Sequence, residues 1–151
     1  MLQIYSSASD SKLKEIYTLQ KKAVKMIFDL HKRHPTDTLF REGILPFPGL
    51  IKYEHTLLSY KLHHKMLGKN LELISYAEPN NINTRSSSQN QNQIQTHFPR
   101  TEVIKRSFFY TGLTTYNQLP STMKQVPLQK FKAQTKELYK NCTTFETDRE
   151  R

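Results

Sequence analysis

Apolar residues recur at three- and four-residue spacing from Leu13 through Ile16, Tyr17, Val24 and Ile27 to Phe28. That spacing predicts an amphipathic helix with one apolar stripe. It should begin near Asp10 or Ser11, either of which can cap it, and end before His34-Pro35. Beyond Pro35, Thr36 can cap a short helix that carries Leu39 and Phe40 and ends at Gly43. Leu45-Pro46-Phe47-Pro48 then predicts a rigid connector, with Pro48 in the first turn of a third helix. That helix turns Leu50, Ile51, Leu57, Leu58 and Leu62 toward a partner and finishes at Gly68, and Leu71, Leu73, Ile74 and Tyr76 add a further turn. Helices joined this closely pack as a small antiparallel bundle.

Periodicity is then lost. Asn80, Asn81, Ser86 to Ser88 and the run Gln89 to Gln93 predict a mobile polar linker, because such a stretch cannot offset the entropy of ordering. Pattern returns with Val103, Lys105, Ser107 and Phe109 alternating with Ile104, Arg106, Phe108 and Tyr110, which predicts a short strand. Phe108 and Tyr110 would share one face and Phe109 the other, with Gly112 freeing the backbone for a turn. Asn117-Gln118-Leu119-Pro120 halts the next turn, and Ser121 can cap a short segment before Pro127. A final helix places Leu128, Phe131, Thr135 and Leu138 on its buried side, with Lys130, Lys132, Lys136 and Lys140 projecting from the rest. The expected organisation is mainly α. A flexible N-terminus (1–9) precedes a helical region (10–78) and a polar linker (79–100), and a compact C-terminal unit (101–141) ends in a frayed tail (142–151).

Arg106-Ser107-Phe108-Phe109-Tyr110-Thr111-Gly112, then Tyr116-Asn117-Gln118-Leu119-Pro120-Ser121, then Phe131-Lys132, form an ordered series of motifs. It resembles the C-terminal region, beyond the thumb, of non-LTR retrotransposon reverse transcriptases of the Jockey-like, LINE-type class. There a segment "RSF-Y-GP-LWN-LP" precedes a lysine-rich helix built around "FK". Leu19-Gln20-Lys21-Lys22-Ala23-Val24-Lys25-Met26-Ile27 and Phe40-Arg41-Glu42-Gly43-Ile44-Leu45-Pro46 are similar to the family's "LQ-KALR-I" and "L-GILP" pieces, and Asn83-Thr84-Arg85 to its "NTR". The resemblance covers most of residues 13–140, strongly in the last third. Tyr116 stands where the family commonly has tryptophan, and Leu113 where it has proline after the glycine, as in a diverged copy. The resemblance implies a parent RNA-directed DNA polymerase. Such elements often insert as copies truncated at the start, so a reading frame opening at Met1 is expected to encode this tail alone.

Composition narrows the partners. Lys and Arg number 23 against 13 Asp and Glu, a net charge of +10, which points to an anionic partner, nucleic acid first and acidic membrane second, or to a solvated lysine surface. A hydrophobic content of 36% without tryptophan and a mean hydropathy of −0.71 predict a modest core. The single cysteine, Cys142, excludes an internal disulfide and any multi-cysteine zinc ribbon. No window approaches the roughly 20 apolar residues that span a bilayer, and Met1 to Tyr5 lacks signal-peptide character. No membrane partner and an intracellular location, nuclear or cytoplasmic, are therefore expected.

Polymerase chemistry needs paired aspartates on one strand turn to hold two metal ions. Asp10, Asp29, Asp37 and Asp148 are isolated, so no catalytic residue, metal, cofactor or small-molecule substrate is expected. His31 and His34 lack a second ligand pair at zinc-site spacing, and adjacent His63 and His64 diverge by about 100° on a helix. The expected role is a non-catalytic basic module contacting template RNA or target DNA. The candidate cations are Lys21, Lys22, Lys25, Arg85, Lys105, Arg106, Lys130, Lys132 and Lys136. Phe108, Phe109, Tyr110 and Tyr116 would either stack on unpaired bases or form the core of the C-terminal unit. The alternatives are a protein-interaction module, one the host has recruited, that uses the stripe of the first helix, and a decayed fragment without selected function.

Overall fold

The computed structural model describes residues 6–35, 40, 43–67, 94, 96 and 100–145. Within them the chain is mainly helical. Six α-helices run α1 Asp10–Ile27, α2 Phe47–His63, α3 Glu102–Arg106, α4 Leu113–Asn117, α5 Ser121–Lys124 and α6 Leu128–Tyr139, with a π-helical turn, Phe108–Gly112, between α3 and α4. The expected helix after Thr36 lies outside the described residues except Phe40 and Gly43, and so does the turn over Leu71 to Tyr76.

α2 is the central element. α1, the π turn, α4 and α6 all pack against it, and His55, Thr56, Leu57, Ser59, Tyr60 and Leu62 are all buried. On one side, Leu57, Tyr60 and Leu62 join Phe108, Leu113, Tyr116, Leu119 and Phe131 in the main core. On another, Phe47 joins Leu13, Tyr17 and Val24 of α1 and Phe40. Small hydroxyl side chains let the backbones approach and find partners inside: Thr56 Oγ1 and the Tyr139 hydroxyl lie 3.1 Å apart. The Tyr60 hydroxyl donates to the Val126 carbonyl at 2.6 Å.

Both long helices stop earlier than expected, and for one reason. Asp29 takes φ 49° and Lys65 φ 53°. In α1 the Leu30 N–H then donates to the Lys25 carbonyl and Asp29 N–H to Met26; in α2, Met66 N–H donates to Lys61 and Lys65 N–H to Leu62. These are paired Schellman closures, here with a non-glycine residue in the left-handed position. Glycine marks neither stop, so Gly68 and Pro35 drew the expected ends too far along the chain.

The expected strand is a helix. Glu102–Arg106 and Phe108–Gly112 are helical, and no strand occurs among the described residues. Phe108, Gly112, Tyr116 and Leu119 recur at four, four and three residues, a helical period that outweighed the alternation of β-formers. Hydroxyl back-bonds hold the turn: Thr111 Oγ1 donates to the Ser107 carbonyl and Thr115 Oγ1 to that of Thr111, each at 2.7 Å. Gly112 is needed for space rather than for a turn. A Cβ there would lie 2.5 Å from the Phe108 ring and 3.3 Å from His55 Cβ.

Two further expectations are corrected. Leu138 is 52% exposed, and Tyr139 takes its place on the buried side of α6 with Phe131 and Thr135. Ile94, assigned to the linker, is buried in the main core. The Asn117 amide clasps its backbone, accepting from Ile94 N–H at 3.0 Å and donating to its carbonyl at 2.8 Å.

Gly49 lies where α2 meets the end of α6. A Cβ on it would collide with the Tyr139 carbonyl oxygen at the end of α6. Ordinarily Gly→Ala in a helix stabilises by about 1 kcal/mol. Here a backbone oxygen must move, so Gly49→Ala is expected to destabilise by about 1–3 kcal/mol. Urea denaturation checks the sign, and a gain in stability would sink the close-packing account.

Candidate nucleic-acid interface

The apolar arc of α1 is wider than the bundle can cover. Leu13, Tyr17 and Val24 are buried, whereas Leu19 is 62%, Met26 80% and Ile27 73% exposed. Ile16 and Phe28 are also exposed, so the expected core stripe holds only in part. The polar arc of the same helix carries Lys14, Lys21 and Lys25 at seven- and four-residue spacing, with Lys22 beside them. At 1.5 Å per residue that row runs about 16 Å.

The side chains on the row are held differently. The Lys21 ammonium stands 4.5 Å from the centre of the Tyr17 ring. The Lys25 ammonium donates to the Lys32 carbonyl at 2.6 Å, and Lys22 is exposed. Lys132 and Lys136 of α6 and its C-cap Lys140 stand four apart in one row, and Lys130 lies on the other side of the helix. Lys130 and Lys136 are exposed and Lys132 half-buried. Carboxylates offset part of this charge through three pairs at three-residue spacing: Lys12–Glu15, Lys105–Glu102 and Lys140–Glu137. Lys105 is thus locally neutralised at 2.7 Å. Arg85 lies outside the described residues.

α1 and α6 both pack on α2, so the two lysine rows belong to one bundle. The motif residues fall mainly inside it. Phe108, Tyr116, Leu119 and Phe131 are core side chains. The Tyr116 hydroxyl lies 2.9 Å from His63 Nδ1. Asn117 does its work on Ile94, Ser107 breaks the helix between α3 and the π turn, and Pro120 precedes α5. Of the aromatics considered for stacking, Phe109 is 45% exposed and Tyr110 half-buried. Phe108 and Tyr116 are unavailable to a base.

Compared with protein-family models, curated proteins and solved structures, the chain matches none.

Lys124 and His55 escaped the sequence reading. Lys124 is buried, and its ammonium donates to the Asn117 carbonyl at 2.9 Å and stands 5.3 Å from the Tyr116 ring centre. Burial draws its pKa down. His63 is also held below the usual imidazole value, by burial first and then by His64 and Lys124. His55, buried between Ser6 and the Phe108 ring, is lowered to about 4 by desolvation. Its Nε2 lies 2.8 Å from Ser6 Oγ. Among the described residues, no three His, Cys, Asp or Glu side chains are grouped to hold a metal ion. No described helix is long and apolar enough to cross a membrane.

Proposed function

We propose that this chain is the C-terminal region, beyond the thumb, of a non-LTR retrotransposon reverse transcriptase. In that role it is a non-catalytic, intracellular module that contacts template RNA or target DNA through the lysine rows of α1 and α6. The observation that carries the reading is the placement of those rows on the outward arcs of two helices packed on one central helix. Each phosphate met by such a lysine releases a condensed counterion. The motif aromatics support it indirectly: as core residues they hold the helices that present the cations.

Binding to single-stranded RNA, duplex DNA and heparin across a salt series tests this. Affinity should fall linearly on log–log axes, and nucleic acid should be preferred over heparin. Lys21→Gln/Lys22→Gln/Lys25→Gln together should lower the slope on single-stranded RNA by about 2, since each lysine–phosphate contact accounts for about 0.7. Salt-independent binding, or none, would sink the proposal.

A protein partner is the alternative. The exposed face of Leu19, Met26 and Ile27 on α1 favours it. It predicts saturable binding to a protein, lost in Leu19→Glu/Met26→Glu, with indifference to nucleic acid.

A further inference from the structure

A cleft of about 680 Å³ opens between the chain before α1, the first half of α2, the π turn with α4, and the end of α6. Its size falls within the range of ligand-binding clefts, about 300–1,000 Å³. Pro48, Ile51 and Leu119 give it apolar walls, and Tyr110 adds an aromatic ring. Among the described residues, two cations line it, Lys52 and Arg106, against one carboxylate, Asp10. His55 also lines it, and desolvation keeps that imidazole neutral at physiological pH.

Arg106 is the informative residue. Its Nε is shut off from solvent and has no hydrogen-bond partner among the described residues. Arg106 also lines the cleft, and the terminal amino groups of a guanidinium form a planar fork suited to phosphate or carboxylate. Thr111, Thr114 and Thr115 line the same cleft from adjacent turns. Thr111 and Thr115 spend their hydroxyl protons on their own helix, so each oxygen remains an acceptor for a ligand O–H or N–H.

We infer that this cleft holds one nucleotide of a bound strand, its phosphate on Arg106 and its base against the apolar wall beside Tyr110. An arginine, an apolar wall and a row of hydroxyl acceptors match the three parts of a nucleotide: phosphate, base and sugar. The choice of a nucleotide over another organic anion rests on the nucleic-acid reading above. The anion site itself rests only on the cleft and Arg106.

Titration of the full chain with uridine monophosphate and adenosine monophosphate, followed by amide chemical shifts, tests the inference. Uridine and inorganic phosphate serve as controls. Saturable shifts are expected at Thr111, Thr115 and His55, much weaker with uridine or phosphate alone. Arg106→Gln should weaken nucleotide binding by about tenfold, the value of a charge-assisted hydrogen bond. Arg106→Lys should restore it only in part, because lysine lacks the fork. Lys52→Gln gives an independent variant should the arginine changes disturb the fold.

No shift in the cleft of the unaltered chain would overturn the inference, as would phosphate binding as well as nucleotide, or undiminished binding in a folded Arg106→Gln protein. Single-stranded RNA is titrated against the same sample. RNA binding that shifts only α1 and α6 overturns the cleft and leaves the lysine interface standing. Nucleotide binding without RNA binding supports the anion site and sinks the interface.

Discussion

Phe131→Ala is expected to destabilise the chain by about 3–5 kcal/mol, the range for removing a buried aromatic side chain. Phe131 is 0% exposed. Its ring stacks on Tyr60 with centroids 4.2 Å apart and meets the edge of Tyr116 at 6.4 Å. α6 reaches the bundle through this ring, Thr135 and Tyr139. A small domain has only about 5–15 kcal/mol in total, so the variant should be close to unfolding at body temperature. Leu138→Ala, on the same helix at an exposed position, should change stability by less than about 0.5 kcal/mol. Chemical denaturation of both variants decides the matter. Equal effects would mean that α6 does not dock by the Phe131 face.

Acid is the second large perturbation. Folding holds His55 at a pKa of about 4, against about 6.5 in an unfolded chain. Between those values the unfolded state binds more protons than the folded one, so stability falls as pH falls through that window. The full effect of this one group is about 3 kcal/mol, present above pH 6.5 and lost by pH 4. His63, lowered by the same burial, acts in the same direction. Unfolding free energies measured from pH 7.5 to 4 should show the decline, and His55→Gln should flatten it. The imidazole titration by NMR is a direct check: a His55 value near 6.5 in the folded chain would refute its burial as a neutral side chain.

The placement of His55 shows where sequence pattern loses its grip. Periodicity identified α1, α2 and α6 as helices and put Leu13, Tyr17, Val24, Leu57, Leu62 and Phe131 inside, because apolar spacing reports one buried face directly. It could not show that α2 is surrounded, since a central helix lacks a polar side to orient it. Thr56 and Ser59 therefore pass for surface residues until Tyr139 and the backbone of His55 are seen to satisfy them. The stretch Val103 to Tyr110 failed for a different reason. Alternating β-formers describe local preference, and the helical period of Phe108, Gly112 and Tyr116 describes packing against α2; packing won.

The candidate interface divides in the same way. Charge and spacing alone name the lysine rows of α1 and α6, because solvated cations need no partner to be recognised. The cleft could not be named from sequence. Arg106, Lys52, His55 and Tyr110 come from separate segments, and only folding sets them around one space.

The three long helices, the lysine rows of α1 and α6 and part of the core were determined by the sequence itself, since each follows from the period and polarity of neighbouring residues. Tertiary structure alone decided which half of the α1 apolar arc is covered, that Asn117 pins Ile94, and that Arg106 lines a cleft. Those outcomes depend on contacts between residues distant in sequence, whose geometry local pattern does not carry.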